Sequence, residues 1–233
     1  MSFVKFDNVI KTYAAGGTEV KALSGLSFGI DEGEFVVVMG PSGAGKTTLL
    51  NLLGGMDSPT SGRIEVDGCD ISAMTAKQLT KYRRCDVGFV FQFYNLMPNL
   101  TALENIELAV EICKDPLPPA EVLDSVGLTE RKGSFPAQLS GGEQQRVSIA
   151  RSVAKNSKLI LCDEPTGALD YVTGKKILKL LHTVCRERKR TVVLVTHNSA
   201  LRDMADKVVI IKNGAADGVF VNGSPKSVEE IEW

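Results

Sequence analysis

The sequence has no surplus of charge. Twenty-seven lysines and arginines stand against 28 aspartates and glutamates, a net charge of −1 over 233 residues. A balance so close to zero gives no strong field to hold nucleic acid or an anionic membrane surface, so no nucleic-acid partner is expected. Paired cysteines are missing too. The five cysteines, at 69, 85, 113, 162 and 185, form no CxxC and are odd in number, so free thiols in a reducing compartment are the expected state. The opening MSFVKFDNVI has no basic stretch before an apolar block, and no secretory leader is read there. No apolar run approaches the roughly 20 residues of a membrane span. The longest, such as Phe35–Met39, are strand-sized. There is no internal repeat, heptad run, low-complexity tract or long linker. A cytoplasmic chain is expected, with any membrane role coming through a partner.

What is present is enough apolar residue, 43% of the chain, to bury the core of one large α/β domain. Residues 3–10 and 20–30 alternate as antiparallel strands do, with a glycine turn at Gly16 and Gly17. Phe35–Met39 is continuously apolar, as a strand buried on both faces must be. A strand and turn are expected at 62–68, and further strands near 87–90, 159–162, 191–195, 207–212 and 218–222. Thr75 with Gln78, and Thr101 with Glu104, have the spacing of capping boxes that open helices, to about Arg84 and Cys113. Pro116, Pro118 and Pro119 then break the chain before a helix to about Val126. The stretch 93–157 reads as a helical insertion, and the strand–helix alternation around it predicts a parallel sheet. The basic run Arg186, Glu187, Arg188, Lys189, Arg190 ends a predicted helix, where cations suit the dipole.

Gly40-Pro41-Ser42-Gly43-Ala44-Gly45-Lys46-Thr47 matches G-x-x-x-x-G-K-[ST] between a predicted strand and a predicted helix. Glycines let the backbone N–H groups converge on phosphate oxygens at a helix N-terminus. Lys46 brings a full charge to the β and γ phosphates, and Thr47 a hydroxyl for Mg²⁺. A helix terminus alone is worth about 0.3–1 kcal/mol, so lysine and metal carry most of the neutralisation. The pattern names a nucleotide phosphate without choosing among kinases, GTPases and motors. Downstream, an apolar strand ends in Asp163 and Glu164. Side chains alternate along a strand, so the two acids are expected to project differently, Asp163 to the metal shell and Glu164 to the attacking water.

Leu139-Ser140-Gly141-Gly142-Glu143-Gln144-Gln145-Arg146 opens another helix, with Ser140 and Glu143 spaced as a capping box. Two glycines in a first turn cost roughly 1 kcal/mol each in propensity, which an ordinary capped helix would avoid. They do let an anion approach the backbone, so this reads as a second phosphate-binding element.

On these residues the sequence resembles the ATP-binding-cassette family. LSGGEQQ is similar to its signature, and other matches follow in the family's order. Gln92 resembles the Q-loop glutamine that touches the metal, Ala168-Leu169-Asp170 the D-loop, His197 the switch histidine on the γ-phosphate, and Tyr13 the aromatic stacked on adenine. The resemblance covers essentially the whole chain. It implies a P-loop NTPase with a RecA-like parallel-sheet core (about 1–92 and 158–233), an N-terminal antiparallel β sub-domain and an inserted helical sub-domain (about 93–157). It implies a nucleotide site of Tyr13, Gly40, Pro41, Ser42, Gly43, Ala44, Gly45, Lys46, Thr47 and Thr48. Thr47, Gln92 and Asp163 would serve the metal, and Glu164, His197 and Lys46 the chemistry. Ser140, Gly141, Gly142, Glu143 and Asp170 would reach the nucleotide of a second copy, so that two ATP molecules are closed head-to-tail and hydrolysis reopens the pair.

Tyr82-Arg83-Arg84, the stretch Val87 to Gln92, Asn95-Leu96, Leu100 to Asn105 and Asp163 to Asp170 resemble more narrowly the macrolide-exporter and lipoprotein-releasing branch, which includes antimicrobial-peptide resistance transporters and a cell-division pair. That branch implies an integral membrane permease as partner, met near residues 93–100, with the chain peripheral on the inner face of the cell membrane. The interval from Glu104 to Leu139 is about ten residues shorter than is usual there. Alternatives are a cell-division-type membrane regulator and a soluble cassette ATPase acting on nucleic acid or ribosomes. The latter class usually carries tandem cassettes, coiled coils or zinc modules, which this chain lacks.

Overall fold

The computed structural model describes residues 2–15, 17–91 and 94–232. Its centre is a six-stranded sheet with β3 (Phe35–Met39), β6 (Val87–Val90), β7 (Leu159–Asp163), β8 (Thr191–Val195), β9 (Lys207–Lys212) and β10 (Ala215–Val221), ordered β10-β9-β3-β8-β7-β6. Neighbours pair in parallel from β9 across to β6, and only the edge strand β10 runs antiparallel. Alternation along each central strand divides the side chains between two cores. Phe35, Val37, Ile160, Cys162, Val192 and Leu194 enter one, while Val36, Val38, Leu159, Leu161, Val193 and Val195 enter the other. That is why these segments are apolar without a break.

The first core is closed by α3 (Ala102–Val110), α4 (Pro119–Ser125), α5 (Gly141–Ala154) and α6 (Tyr171–Arg188). The helices of the stretch 93–157 thus bury their apolar faces in the same cluster as the sheet. The second core is closed by α1 (Lys46–Leu53) and by a four-stranded sheet of β1 (Val4–Ala15), β2 (Thr18–Ile30), β4 (Ser61–Val66) and β5 (Cys69–Asp70). Each fully buried aliphatic side chain contributes about 1.5–3 kcal/mol over its exposed state. Among the described residues no helix is long and apolar enough to cross a membrane.

The caps expected at Thr75, Thr101 and Ser140 all form. Each side chain accepts from the backbone three residues on, and Gln78, Glu104 and Glu143 return the bond. Such a cap is worth about 1 kcal/mol. Arg186 and Arg188 lie in the last turn of α6, and Arg186 grips both oxygens of Asp206 at 2.7 and 2.9 Å. All five cysteines are free.

Several boundaries differ from the sequence expectation. Strands β1 and β2 stay paired out to Ala15 and Thr18, because cross-strand bonds extend the hairpin past its apolar alternation. Helix α3 stops at Val110, where Cys113 N–H turns back to the Val110 carbonyl. The turn expected by residue 68 does form, at Asp67 and Gly68, φ 50° and 73°, the left-handed pair a tight hairpin demands. Residues 227–231 pack against α6: Glu230 accepts from the Ser227 N–H at 2.8 Å in a short 3₁₀ turn, Val228 and Ile231 are buried, and Lys179 meets Glu229 at 2.8 Å.

Candidate functional site

Three adjacent parallel strands, β3, β8 and β7, end side by side, and each delivers part of one cleft. The end of β3 delivers the phosphate loop, β7 delivers Asp163 and Glu164, and β8 delivers Thr196 and His197. The carboxyl ends of parallel strands are where such sheets bind ligands. The cleft is about 510 Å³ and is lined by loop residues from Gly40 to Thr48, by Asp163, Glu164 and His197, and by Val20, Lys21 and Ala22 of β2.

The loop's glycines have distinct reasons. A side chain at Gly40 would collide with the Ile211 carbonyl, and one at Gly45 with the Ala22 carbonyl. Gly45 is the N-cap of α1, at φ 102°, so the helix starts with bare backbone N–H groups toward the cleft. The Ala44 side chain is buried in the core and leaves only its backbone to serve a ligand. Lys46 lies across the loop, its Nζ donating to the Gly40 and Pro41 carbonyls at 2.8 and 2.9 Å.

Thr47 Oγ1 donates to Asp163 Oδ2 at 3.0 Å. Burial pushes the Asp163 carboxyl above the usual carboxylate range, the Glu164 charge adds to this, and Thr47 and Lys46 oppose it. Two hard oxygens beside a phosphate loop suit Mg²⁺, which takes one or two protein oxygens and completes its shell from phosphate and water.

Glu164 meets different partners from Asp163, though both line the cleft, and strand alternation is not the cause. Strand β7 ends at Asp163, and Glu164 sits in the left-handed region at φ 49°. This costs of order 1–3 kcal/mol for a non-glycine residue and is held by its surroundings. The Glu164 N–H bonds the Val195 carbonyl at 3.0 Å. Its carboxylate accepts from Thr196 Oγ1 at 3.1 Å and from the His197 N–H at 3.0 Å, and lies 2.8 Å from His197 Nδ1. Two of the three groups assigned to the chemistry, Glu164 and His197, are therefore already in contact.

Tyr13 stands beside the loop. Its hydroxyl donates to Asp57 at 2.9 Å, Thr48 bonds the same phenol, and Lys11 lies 4.9 Å over the ring. Burial and the Asp57 bond raise the phenol above its ordinary value. Its cross-strand partner is the exposed Val20, so an exposed aromatic–aliphatic pair borders the cleft. Gln92 falls outside the described residues.

Ser140, Gly141, Gly142, Glu143 and Asp170 are elsewhere, and none of them lines this cleft. Ser140 Oγ accepts from the Glu143 N–H at 3.3 Å, and Glu143 returns 2.8 Å contacts to the Ser140 N–H and hydroxyl. Those bonds hold the Glu143 carboxyl below the usual range. Asp170 caps α6 through the Thr173 N–H at 3.0 Å. A Cβ at Gly142 would lie 3.4 Å from the Ala168 carbonyl and from Leu169, so the start of α5 packs close to that loop.

Residues 23–167 match the sequence profile of the ABC transporter family. The chain belongs to that family. An ABC transporter ATP-binding protein of Methanocaldococcus jannaschii, MJ0796, is 44% identical over 226 residues, 92% of this chain and 95% of that protein. An ABC transporter ATP-binding protein of Mycoplasma pneumoniae is 42% identical over 233 residues, 99% of this chain. The chain spans only 50% of that relative's length, and 33% of a Brucella melitensis macrolide export protein, MacB, to which it is 41% identical over 216 residues. The dimeric structure of the MJ0796 cassette in a post-hydrolysis state with ADP and Pi superposes with a TM-score of 0.89 at 42% identity, covering 94% of this chain and 98% of that one.

The sequence did not single out Thr196, Val20, Lys21 or Ala22. Thr196 is fully buried and steadies Glu164, while Val20 is found only through its register with Tyr13.

Proposed function

We propose that this ABC cassette binds and hydrolyses MgATP between two copies paired head-to-tail. The observation that carries this is the division of the site. The phosphate loop, Asp163, Glu164 and His197 share one cleft, while Ser140, Gly141 and Gly142 present a capped helix N-terminus that does not line it. An anion-binding terminus that does not meet its own chain's nucleotide suits the nucleotide of another. The pairing of the MJ0796 cassette supports the same arrangement.

In this reading the loop N–H groups and Lys46 hold the phosphates, and Thr47 with Asp163 hold Mg²⁺, whose charge offsets that of the phosphates. Tyr13 and Val20 flank the base. The γ-phosphate draws His197 toward itself, and Glu164 then turns to the attacking water. ATP acts as the closing ligand, since it binds the paired state better than the open one. Closure drives an integral membrane permease, which would keep the chain on the inner face of the cell membrane.

A groove of about 260 Å³ fits that partner. Its lining includes Met56 and the stacked rings of Phe89 and Phe91, with centroids 4.4 Å apart, together with Arg83, Asn95 and Arg151. A Glu164→Gln chain with saturating MgATP should run as a dimer in light scattering. A monomer under those conditions would sink the reading.

A further inference from the structure

Tyr94 and Arg151 have no part in the chemistry above, yet they join the signature helix to the groove. Arg151 lies half-buried on α5, and it forms no ion pair among the described residues. It spends its fork on two backbone oxygens, Nη1 donating to Asn95 at 2.7 Å and Nη2 to Tyr94 at 3.0 Å. Asn95 is left-handed at φ 51°, and both carbonyls meet one planar cation. Burial pulls the guanidinium below its ordinary value, so it depends on these two acceptors.

The other end of the same short segment reaches the helix N-terminus. The Tyr94 hydroxyl sits where a Cβ on Gly141 would come within 2.9 Å of it. Tyr94 and Asn95 therefore lie along α5, fixed near its first residue by packing and near its last turn by the arginine fork. Asn95 and Arg151 also line the groove of Phe89 and Phe91.

We propose that Tyr94 and Arg151 form a strut that sets the position of the Ser140 and Gly141 terminus and carries displacement of the groove to it. Tyr94 and Arg151 are positioning residues: neither reaches the nucleotide of its own chain. The link to a docked partner rests on the function proposed above; the internal strut does not. A packed contact and a two-pronged hydrogen bond can transmit a shift because neither end yields without loss of contact.

Two measurements test this. The first uses paired chains on the Glu164→Gln background. Gly141→Ala should weaken MgATP-driven pairing by about tenfold or more, a coupling typical of residues in contact. Adding Tyr94→Phe, which deletes the oxygen the new methyl meets, should recover most of it while single-chain nucleotide affinity stays unchanged. A loss that Tyr94→Phe does not recover would put the methyl against the opposite nucleotide and remove the role of Tyr94.

The second uses nucleotide-free single chains, so it stands even if no pairing occurs. Arg151→Lys keeps the charge but cannot hold two carbonyls in one plane. Hydrogen exchange should rise at amides 141–145 and 94–97, with amides 43–48 unchanged. Exchange that is unmoved at 141–145, or raised evenly across the chain, would overturn the strut.

Discussion

The two helix termini proposed to bind anions are built in opposite ways. The N-terminus of α1 is capped by a glycine with no side-chain bond, and it hangs from a strand in the middle of the sheet. The N-terminus of α5 is closed by a complete capping box and rests against loops, Tyr94 on one side and Ala168 and Leu169 on the other. A terminus that must wrap a phosphate leaves its donors open. The terminus proposed to face another copy has its first turn held by its own side chains. One face is set by backbone ladders, the other by side-chain contacts, and the second is the easier to move.

Substitutions can break this contrast. The largest effect should come from Glu164→Gln, a fall of about 10² to 10⁴ in hydrolysis rate with nucleotide affinity retained, read from phosphate release and calorimetry. Lys46→Ala should weaken ATP binding to the single chain by about 10- to 150-fold, since a hydrogen bond to a charged group is worth about 1.5–3 kcal/mol. Unchanged affinity by calorimetry would remove its role.

Ser140→Arg should do the reverse. Overpacking costs about 1–3 kcal/mol per site, so two sites in a pair predict a roughly 30-fold or greater loss of pairing. Single-chain ATP affinity should hold, and pairing at the parent level in sedimentation would show that the two faces do not meet.

Asn105 tests the side-chain-built half directly. It is 2% exposed, accepts from the Met97 N–H and donates to the carbonyls of Met97, Leu100 and Thr101. Asn105→Leu would orphan those groups at about 1–3 kcal/mol. For a chain of this size that is a drop of roughly 2–12 °C in melting temperature.

The smallest effect belongs to the loop half. Burial raises the Asp163 carboxyl, so its ionised form opposes folding. Below the ordinary carboxylate range both states are protonated and nothing is lost. As pH rises through that range the unfolded chain ionises first, and native stability falls until Asp163 itself ionises. Asp163→Asn should therefore melt higher than the parent at neutral pH without nucleotide, with the gap closing in acid, while Mg²⁺-dependent ATP binding is lost. A gap that widens in acid would contradict the direction of the shift.

The sequence by itself determined the parts whose physics is local. The capping boxes at Thr75, Thr101 and Ser140, the helix start at Lys46 and the unbroken apolar strands need neighbouring residues only. Each formed where the residues called for it. Tertiary structure decided what depends on pairing across long separations. Strand order put β3, β8 and β7 side by side, and so brought Asp163 within 3.0 Å of Thr47, 116 residues away. Register set Val20 beside Tyr13, and the end of β8 placed Thr196 and His197 on Glu164. The backbone turn at Glu164 was likewise hidden, because its strain is held by Val195 and Thr196 rather than by its sequence neighbours. The Tyr94–Arg151 link belongs with these, since backbone carbonyls carry no sequence signal and an arginine's choice of them is made only by packing.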